Sequence, residues 1–345
     1  MSAGPDEGAP RPTEVCLSVD TEFSIAGAFA DPERCRPLGE EWVTCPVDGR
    51  EQGLGFLLDV LRENGLAASL FVETLNSCYF GDGPMGRIVA RLCDAGQDVQ
   101  LHLHPCWLYF RRPDWRTRLA AESPNDRCDG RGIEGLVEMM RLGLAPWRHW
   151  DGPPPTALRT GNLRADRTVY RAMASVGLRV ASNLGVAYAR PADGALLLHT
   201  GRHWIAGVLE VPVMSYLQVS MGSLQVERLL TITATSWPEM RSLLWRARAC
   251  GVTTVVVLTH PHEFIKGDRR SGGRLRPNRI NQDRLRRLCR FLADNTRDFR
   301  AATFGEAAPR WLAEGPVPSR RVVAPLLPVM GRMIQNKLND LVPML

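Results

Sequence analysis

Residues 86–103 read GRIVARLCDAG followed at once by QDVQLHL. A helical run ends on Gly96, and a short apolar run begins with no intervening linker. A glycine just past a helix supplies a left-handed cap, and an apolar run directly after it reads as a buried strand. The unit recurs as LLDVLRENG (57–65) before LAASLFV (66–72) and as VYRAMASVG (169–177) before LRVASN (178–183). A fourth copy is RSLLWRARACG (241–251) before VTTVVVL (252–258). Helices alternating with near-continuous apolar strands imply a parallel sheet with helices covering it. The expected fold class is therefore α/β, one barrel of mostly parallel strands rather than two ordinary domains.

Working outward, EVCLSV (14–19) is expected as the first strand. Three long irregular loops are expected near 24–50, 105–132 and 191–204. NRINQDRLRRLCRFLADN (278–295) reads as an amphipathic helix, DFRAAT (298–303) as a last strand and FGEAAPRWLAEG (304–315) as a closing helix. The expected organisation is a disordered leader over 1–13, the barrel over 14–314 and an amphipathic helical tail over 315–345. In that tail Val329, Met330, Met333, Ile334, Leu338, Leu341 and Val342 share one side of a possible helix. That face suits packing, a homodimer contact or peripheral membrane contact.

With 44% hydrophobic and 23% charged residues in 345, the chain is too apolar for disorder. It shows no G-x-y period, sustained heptad or long apolar run, which excludes collagen-like, coiled-coil and transmembrane classes. Of its 43 basic residues all but Lys266 and Lys337 are arginine. Lys266, Arg269, Arg270, Arg274, Arg276 and Arg279 surround the single acid Asp268, so one loop carries most of the net charge of +6. Nucleic acid is not an expected partner, because aromatic residues do not interleave a longer basic face. Nine cysteines at irregular positions, with no C-x-x-C pair, indicate neither a disulfide framework nor a zinc ribbon. Cys16, Cys93, Cys250 and Cys289 are expected as small buried hydrophobes. The start, MSAGPDEGAPRPTE, lacks a basic n-region and an apolar h-region, so the expected compartment is the cytoplasm.

Position singles out the reactive residues. Asp20 and Glu22 follow the first strand, His102 and His104 end QDVQLHL, Arg159 ends TAL, and His260 ends TTVVVLT. In parallel α/β architectures active sites collect at that edge. Histidines two apart on a strand point to one face, so both imidazoles can meet one ion, and a carboxylate beside them completes a two-histidine, one-carboxylate site. A second acid could act as base and a histidine opposite as acid. The inventory suits metal-assisted hydrolysis of an amide or ester. Each feature also has a plainer reading: a loop acid pair, a hydrogen-bonded histidine pair, a surface arginine. His262 competes with His260, and His149, His199 and His203 are expected to be exposed. Trp107, Tyr109 and Trp204 are candidates for a sugar-stacking wall or for core.

These segments resemble the polysaccharide deacetylase family, carbohydrate esterase family 4. LSVDTE (17–22) is similar to its T-F-D-D motif and GQDVQLHLHP (96–105) to its G-H-E-I-x-x-H motif. LRTGN (158–162) is similar to its third motif and LTH (258–260) to its closing L-x-H. The resemblance implies a distorted (β/α) barrel holding one divalent ion. It implies Asp20 as catalytic base, Glu22 and His102 as metal ligands, Arg159 holding Asp20, and His260 as general acid. The family's second acid is Asp where this chain has Glu22, and its second histidine falls at Cys106. His104 is taken as the substitute ligand, with Cys106 the alternative. The third motif lacks its usual Pro and aromatic, and the Asp-Trp motif has no clear counterpart beyond Trp204.

The expected activity is removal of an N-acetyl group from an amino sugar or sugar-containing biosynthetic intermediate. Alternatives are another C–N hydrolase, such as a deformylase or amidase, and an inactive ligand-binding barrel. Zinc is the expected ion, with manganese, cobalt and iron able to use the same donors. The basic loop 266–279 suits an anionic substrate or a solvated surface.

Overall fold

In the computed structural model, residues 11–150, 152–221, 224–267 and 274–325 are described. The central strand β1 spans Thr13–Thr21. Around it lie β2 (Ser69–Glu73), β3 (Asp98–Leu103), β4 (Ala157–Thr160) and β5 (Val180–Ala181). β6 (His203–Ile205), β7 (Val208–Glu210), β8 (Ser215–Met221) and β9 (Leu224–Leu229) follow, then β10 (Thr254–Thr259) and β11 (Phe299–Ala301). The main sheet runs β10-β1-β2-β3-β4-β5-β7-β6, with β11 on the lower half of β1. All its pairings are parallel except β6 on β7, and β8 and β9 form a separate antiparallel hairpin.

The sheet curls into a distorted barrel whose last gap, among the described residues, has no regular strand. There the Val211 N–H reaches Ala181 O at 2.8 Å, Met214 N–H reaches Val256 O at 3.1 Å, and Ile232 N–H reaches Leu258 O at 3.1 Å. Pro212, with no N–H to donate, interrupts the ladder in this stretch.

The long helices are α1 (Leu54–Glu63), α2 (Asp82–Asp94), α3 (Ile133–Leu144) and α4 (Arg167–Ser175). α5 (Trp237–Ala249), α6 (Arg279–Asp294) and α7 (Phe304–Glu314) follow. The glycines of the recurring unit, Gly65, Gly96, Gly177 and Gly251, all have φ between 62° and 86°, the left-handed turn expected of them.

Strand alternation divides two cores. Val15, Leu17, Val19, Leu70, Val72, Leu101 and Val257 face the helices. Cys16, Phe71, Ala157, Val256 and Leu258 face the barrel axis, together with Phe304 and Trp311 of α7 across its N-terminal end. Both faces are buried, which is why the strands read as continuous apolar runs. Ser18, Asp20, Glu73, His102 and Arg159 are also buried, and they occupy the polar layer towards the strands' C-terminal ends.

Two expectations change, and one open alternative is decided. Cys16 and Cys289 are buried, but Cys93 is half-buried and Cys250 is exposed, because Cys250 caps α5 where the chain leaves the helix. The 24–50 and 105–132 loops contain short helices, Glu40–Thr44 and Trp115–Arg118, and a 3-10 turn over Pro105–Arg111. Trp107 and Tyr109 are core, not wall: they pack with Phe110, Phe80 and Phe29 in an aromatic cluster. The tail face from Val329 onward lies outside the described residues, as do 268–273 of the basic loop. No helix among the described residues is long and apolar enough to cross a membrane.

Candidate active site

β1 runs two residues further than expected, so Asp20 is inside it, and Glu22 is the first residue past its end. His102 is in β3 and His104 just beyond. Lateral register aligns Glu73, His102 and Arg159 across β2, β3 and β4. The structure brings together Asp20, Glu22, His102, His104, Arg159 and His260, in two adjoining groups.

In the first group, Glu22 Oε2 faces His104 Nε2 at 2.9 Å and His102 Nε2 at 3.4 Å. The other nitrogen of each ring is committed. His102 Nδ1 donates to the Arg159 carbonyl oxygen at 3.0 Å, and His104 Nδ1 meets Asp126 Oδ2 at 2.7 Å. Protons on both Nδ1 atoms leave both Nε2 atoms as the positions that can present lone pairs to a cation beside Glu22. Three donors converging on one point, all within 4.8 Å of one another, fit a divalent cation. Burial opposes ionisation of Glu22, but His104 and His102 hold its carboxyl well below the usual range. Burial likewise works against the His104 charge, yet Glu22 and Asp126 raise its pKa well above the ordinary value. A cation binding here would displace that proton.

In the second group, Arg159 is buried and donates to Asp20 Oδ1 at 2.6 Å. Its other N–H groups go to Ser18 Oγ at 3.0 Å, Ser182 Oγ at 2.9 Å and Ser182 O at 3.1 Å, and its guanidinium lies over Phe71. Arg159, His102 and His260 keep the Asp20 carboxyl below its ordinary value against the effect of burial. His260 Nε2 stands 3.9 Å from Asp20 Oδ2, and its Nδ1 meets Glu263 Oε1 at 3.0 Å. Burial lowers the His260 pKa, but Glu263 and then Asp20 and Glu22 raise it to about 9. His262 also lines the cleft, its ring against Trp42, while His260 is the one that reaches Asp20.

Three participants were not among the residues singled out from the sequence. Asp126 orients His104 from within the long loop and also accepts from Asn162 Nδ2 at 2.8 Å and Cys106 N–H at 3.2 Å. Glu263 orients His260 and takes the Thr259 hydroxyl at 2.7 Å. Glu73 accepts the backbone N–H groups of Leu75 and His104, fixing the turn after β3. Glu73 was findable, because an acid at a strand's C-terminal end is the signal that flagged Asp20. Cys106 groups with His104 and Asp126 on the Nδ1 side, away from Glu22 and His102, and burial followed by Asp126 pushes its thiol far above the ordinary range.

The RTGN segment also acquires a reason. A Cβ on Gly161 would lie 2.5 Å from the His104 ring. Asn162 takes a left-handed φ of 57°, which asparagine tolerates, and so aims its amide at Asp126.

A cleft of about 510 Å³ opens over both groups, with Tyr188, Glu227, Arg228 and Thr231 on its far side. A larger hollow of about 900 Å³ near Glu51, Arg91 and Arg286 lies away from this chemistry, and its Glu51–Arg91 pair is closed at 2.7 Å. Trp204 is exposed on edge strand β6 and is not among the lining residues. Of the histidines expected in solvent, His149 is exposed, whereas His199 is buried against Glu227 at 2.7 Å and His203 is half-buried.

The chain superposes on a Mycobacterium smegmatis protein assigned as a polysaccharide deacetylase, with TM-score 0.52 and 14% identity over 92% of this chain and 96% of that one. This is the polysaccharide-deacetylase fold. A family 4 carbohydrate esterase from Streptomyces lividans, solved with acetate, aligns at TM-score 0.42 and 12% identity over 90% and 99% of the two chains. A family 4 acetyl xylan esterase from Clostridium thermocellum, solved with cobalt, aligns at TM-score 0.41 and 14% identity over 88% and 93%. No family model matches the sequence, and no curated protein matches it.

Proposed function

We propose that the chain is a divergent polysaccharide deacetylase, a metal-dependent hydrolase that removes the N-acetyl group of an amino sugar. The convergence of His102 Nε2 and His104 Nε2 on Glu22 Oε2, beside the facing pair Asp20 and His260, carries this reading. A divalent cation held by Glu22, His102 and His104 would polarise the amide oxygen and acidify a bound water.

Asp20, kept ionised by Arg159, takes a proton from the water as its oxygen attacks the carbonyl carbon. His260, protonated at neutral pH because Glu263 holds Nδ1, gives its Nε2 proton to the departing nitrogen as the C–N bond breaks. The products are acetate and the free amine. Arg159 works through Asp20 and is a positioning residue: its N–H groups are committed to Asp20, Ser18 and Ser182 beneath the cleft.

The test couples metal analysis of the purified chain to an acetate- and formate-release screen over N-acyl sugars, nucleotide-linked sugars and lipid-linked sugars. One divalent ion per chain and acetate release that falls on the order of 10²- to 10⁴-fold in Asp20→Asn are expected. Absence of stoichiometric metal together with unchanged turnover in Asp20→Asn rejects the reading. Formate as the product moves the activity to a deformylase on the same scaffold.

A further inference from the structure

Four acids line the cleft, and each has a basic partner. Asp20 has Arg159, Glu22 has His102 and His104, Glu263 has His260, and Glu227 has His199 at 2.7 Å. Arg228, on β9, lines the same cleft and makes no ion pair among the described residues. Its Nη2 makes a long hydrogen bond to Ala234 O at 3.4 Å, and its Nε is buried with no partner among the described residues. Neighbouring Glu227 does not serve it, being engaged by His199 and by Arg190 at 3.4 Å. Tyr216, opposite Arg228 in the hairpin, gives its hydroxyl to Glu239.

A half-buried guanidinium with an unused N–H loses solvation that only an acceptor can restore. Its planar fork matches the two oxygens of a carboxylate or phosphate. At the cleft mouth the Tyr188 ring is 64% exposed, a surface on which a sugar face can rest.

We propose that Arg228 is a specificity-determining residue that binds an oxyanion carried by the sugar substrate, so that the chain acts on an acidic N-acyl amino sugar. The proposal rests on the deacetylase reading for its substrate class. It moves anion recognition from the basic loop, whose residues 268–273 lie outside the described structure, to the hairpin over the site.

The experiment compares N-acetylglucosamine with N-acetylmuramic acid and with N-acetylglucosamine 1- and 6-phosphates. Two readouts are taken on the metal-loaded chain: kcat/KM for acetate release, and affinity by titration calorimetry on Asp20→Asn, which needs no turnover. Acidic sugars are expected to be preferred over the neutral one on the order of 10- to 100-fold, the worth of a charge-assisted hydrogen bond. In Arg228→Gln that ratio collapses towards one, and Arg228→Lys keeps part of it. A folding defect lowers acidic and neutral sugars alike and leaves the ratio standing. The carboxylate and phosphate arms identify which oxyanion is read.

A wild-type ratio near one, no binding of any acidic sugar, or a ratio unchanged in Arg228→Gln overturns the proposal. Arg228-dependent binding without acetate release sinks the deacetylase reading alone. Acetate release without discrimination sinks only the role of Arg228.

Discussion

At the N-terminal end of the barrel Asp98 accepts from Ser69 Oγ at 2.6 Å, Gln100 Nε2 at 2.6 Å and the Gly305 N–H at 3.0 Å. Nearby, Glu14 accepts from the Trp311 indole at 2.7 Å and from Arg310. At the C-terminal end Glu22 instead faces two imidazole nitrogens whose rings have already spent a proton elsewhere. Both ends hold half-buried or buried carboxylates against the same strands. At the first, the chain supplies each acid with donors, and the acids tie α7 to the sheet. At the second, the groups facing Glu22 are imidazole nitrogens, which become ligands when a cation displaces their proton. Charge is therefore common to both ends, and the kind of partner separates them: fixed N–H and O–H donors at one, titratable imidazoles at the other.

The comparison breaks most sharply at His102. Replacing it with Ala removes one of the converging donors and is expected to cost the bound metal and to lower acetate release by roughly 10³-fold or more. Metal analysis of the folded variant, verified by circular dichroism, is the check. Retained stoichiometric metal would show that the ion sits elsewhere, for example with Cys106 and Asp126.

Asp126→Asn leaves the converging atoms in place but weakens the hold on His104. Metal affinity is expected to fall about 10- to 100-fold, the usual worth of an orienting carboxylate. Competition with a chromogenic chelator measures it, and an unchanged affinity would make Asp126 a loop-fastening residue only.

Glu263→Gln tests the other group. His260 acts in its protonated form, and its pKa is raised to about 9, so kcat/KM should hold through neutral pH and fall as pH rises through that value. Without the Glu263 charge the alkaline limb is expected to move down towards the ordinary imidazole value of 6.5. A pH–rate profile with an unmoved alkaline limb would assign the acid to another group.

Asp98→Ala carries the smallest functional effect. It strands the partners of Asp98 at the barrel floor and should cost ~1–3 kcal/mol in stability. Metal content and the pH profile should stay as in wild type. A variant that unfolds less readily than predicted but loses its metal would erase the distinction between the two ends.

Much of this site was legible because strand geometry is periodic and local. Asp-x-Glu after an apolar run, His-x-His ending another and Leu-Thr-His ending a third have to emerge at one edge once the strands are parallel. The orienting acids were not legible in the same way. Asp126 lies 22 residues after His104 in a segment with no period, and only the fold of that loop brings its carboxylate to Nδ1. Trp107 and Tyr109 show the same limit: next to a histidine motif they read equally as wall or core, and only the 3-10 turn after β3 directs them into an aromatic core.

By itself, then, the sequence determined the alternation of capped helices and buried strands, the parallel sheet and the edge where reactive groups gather. Those follow from φ preferences of glycine and from the two-residue period of a strand, which act within a few residues. Tertiary structure alone decided that both histidines turn Nε2 to Glu22, that His199 hides against Glu227, and that Arg228 enters the cleft with no carboxylate paired to it among the described residues. Each of these depends on which hydrogen-bond partners long-range packing brings within 3 Å or so, and no local period encodes that.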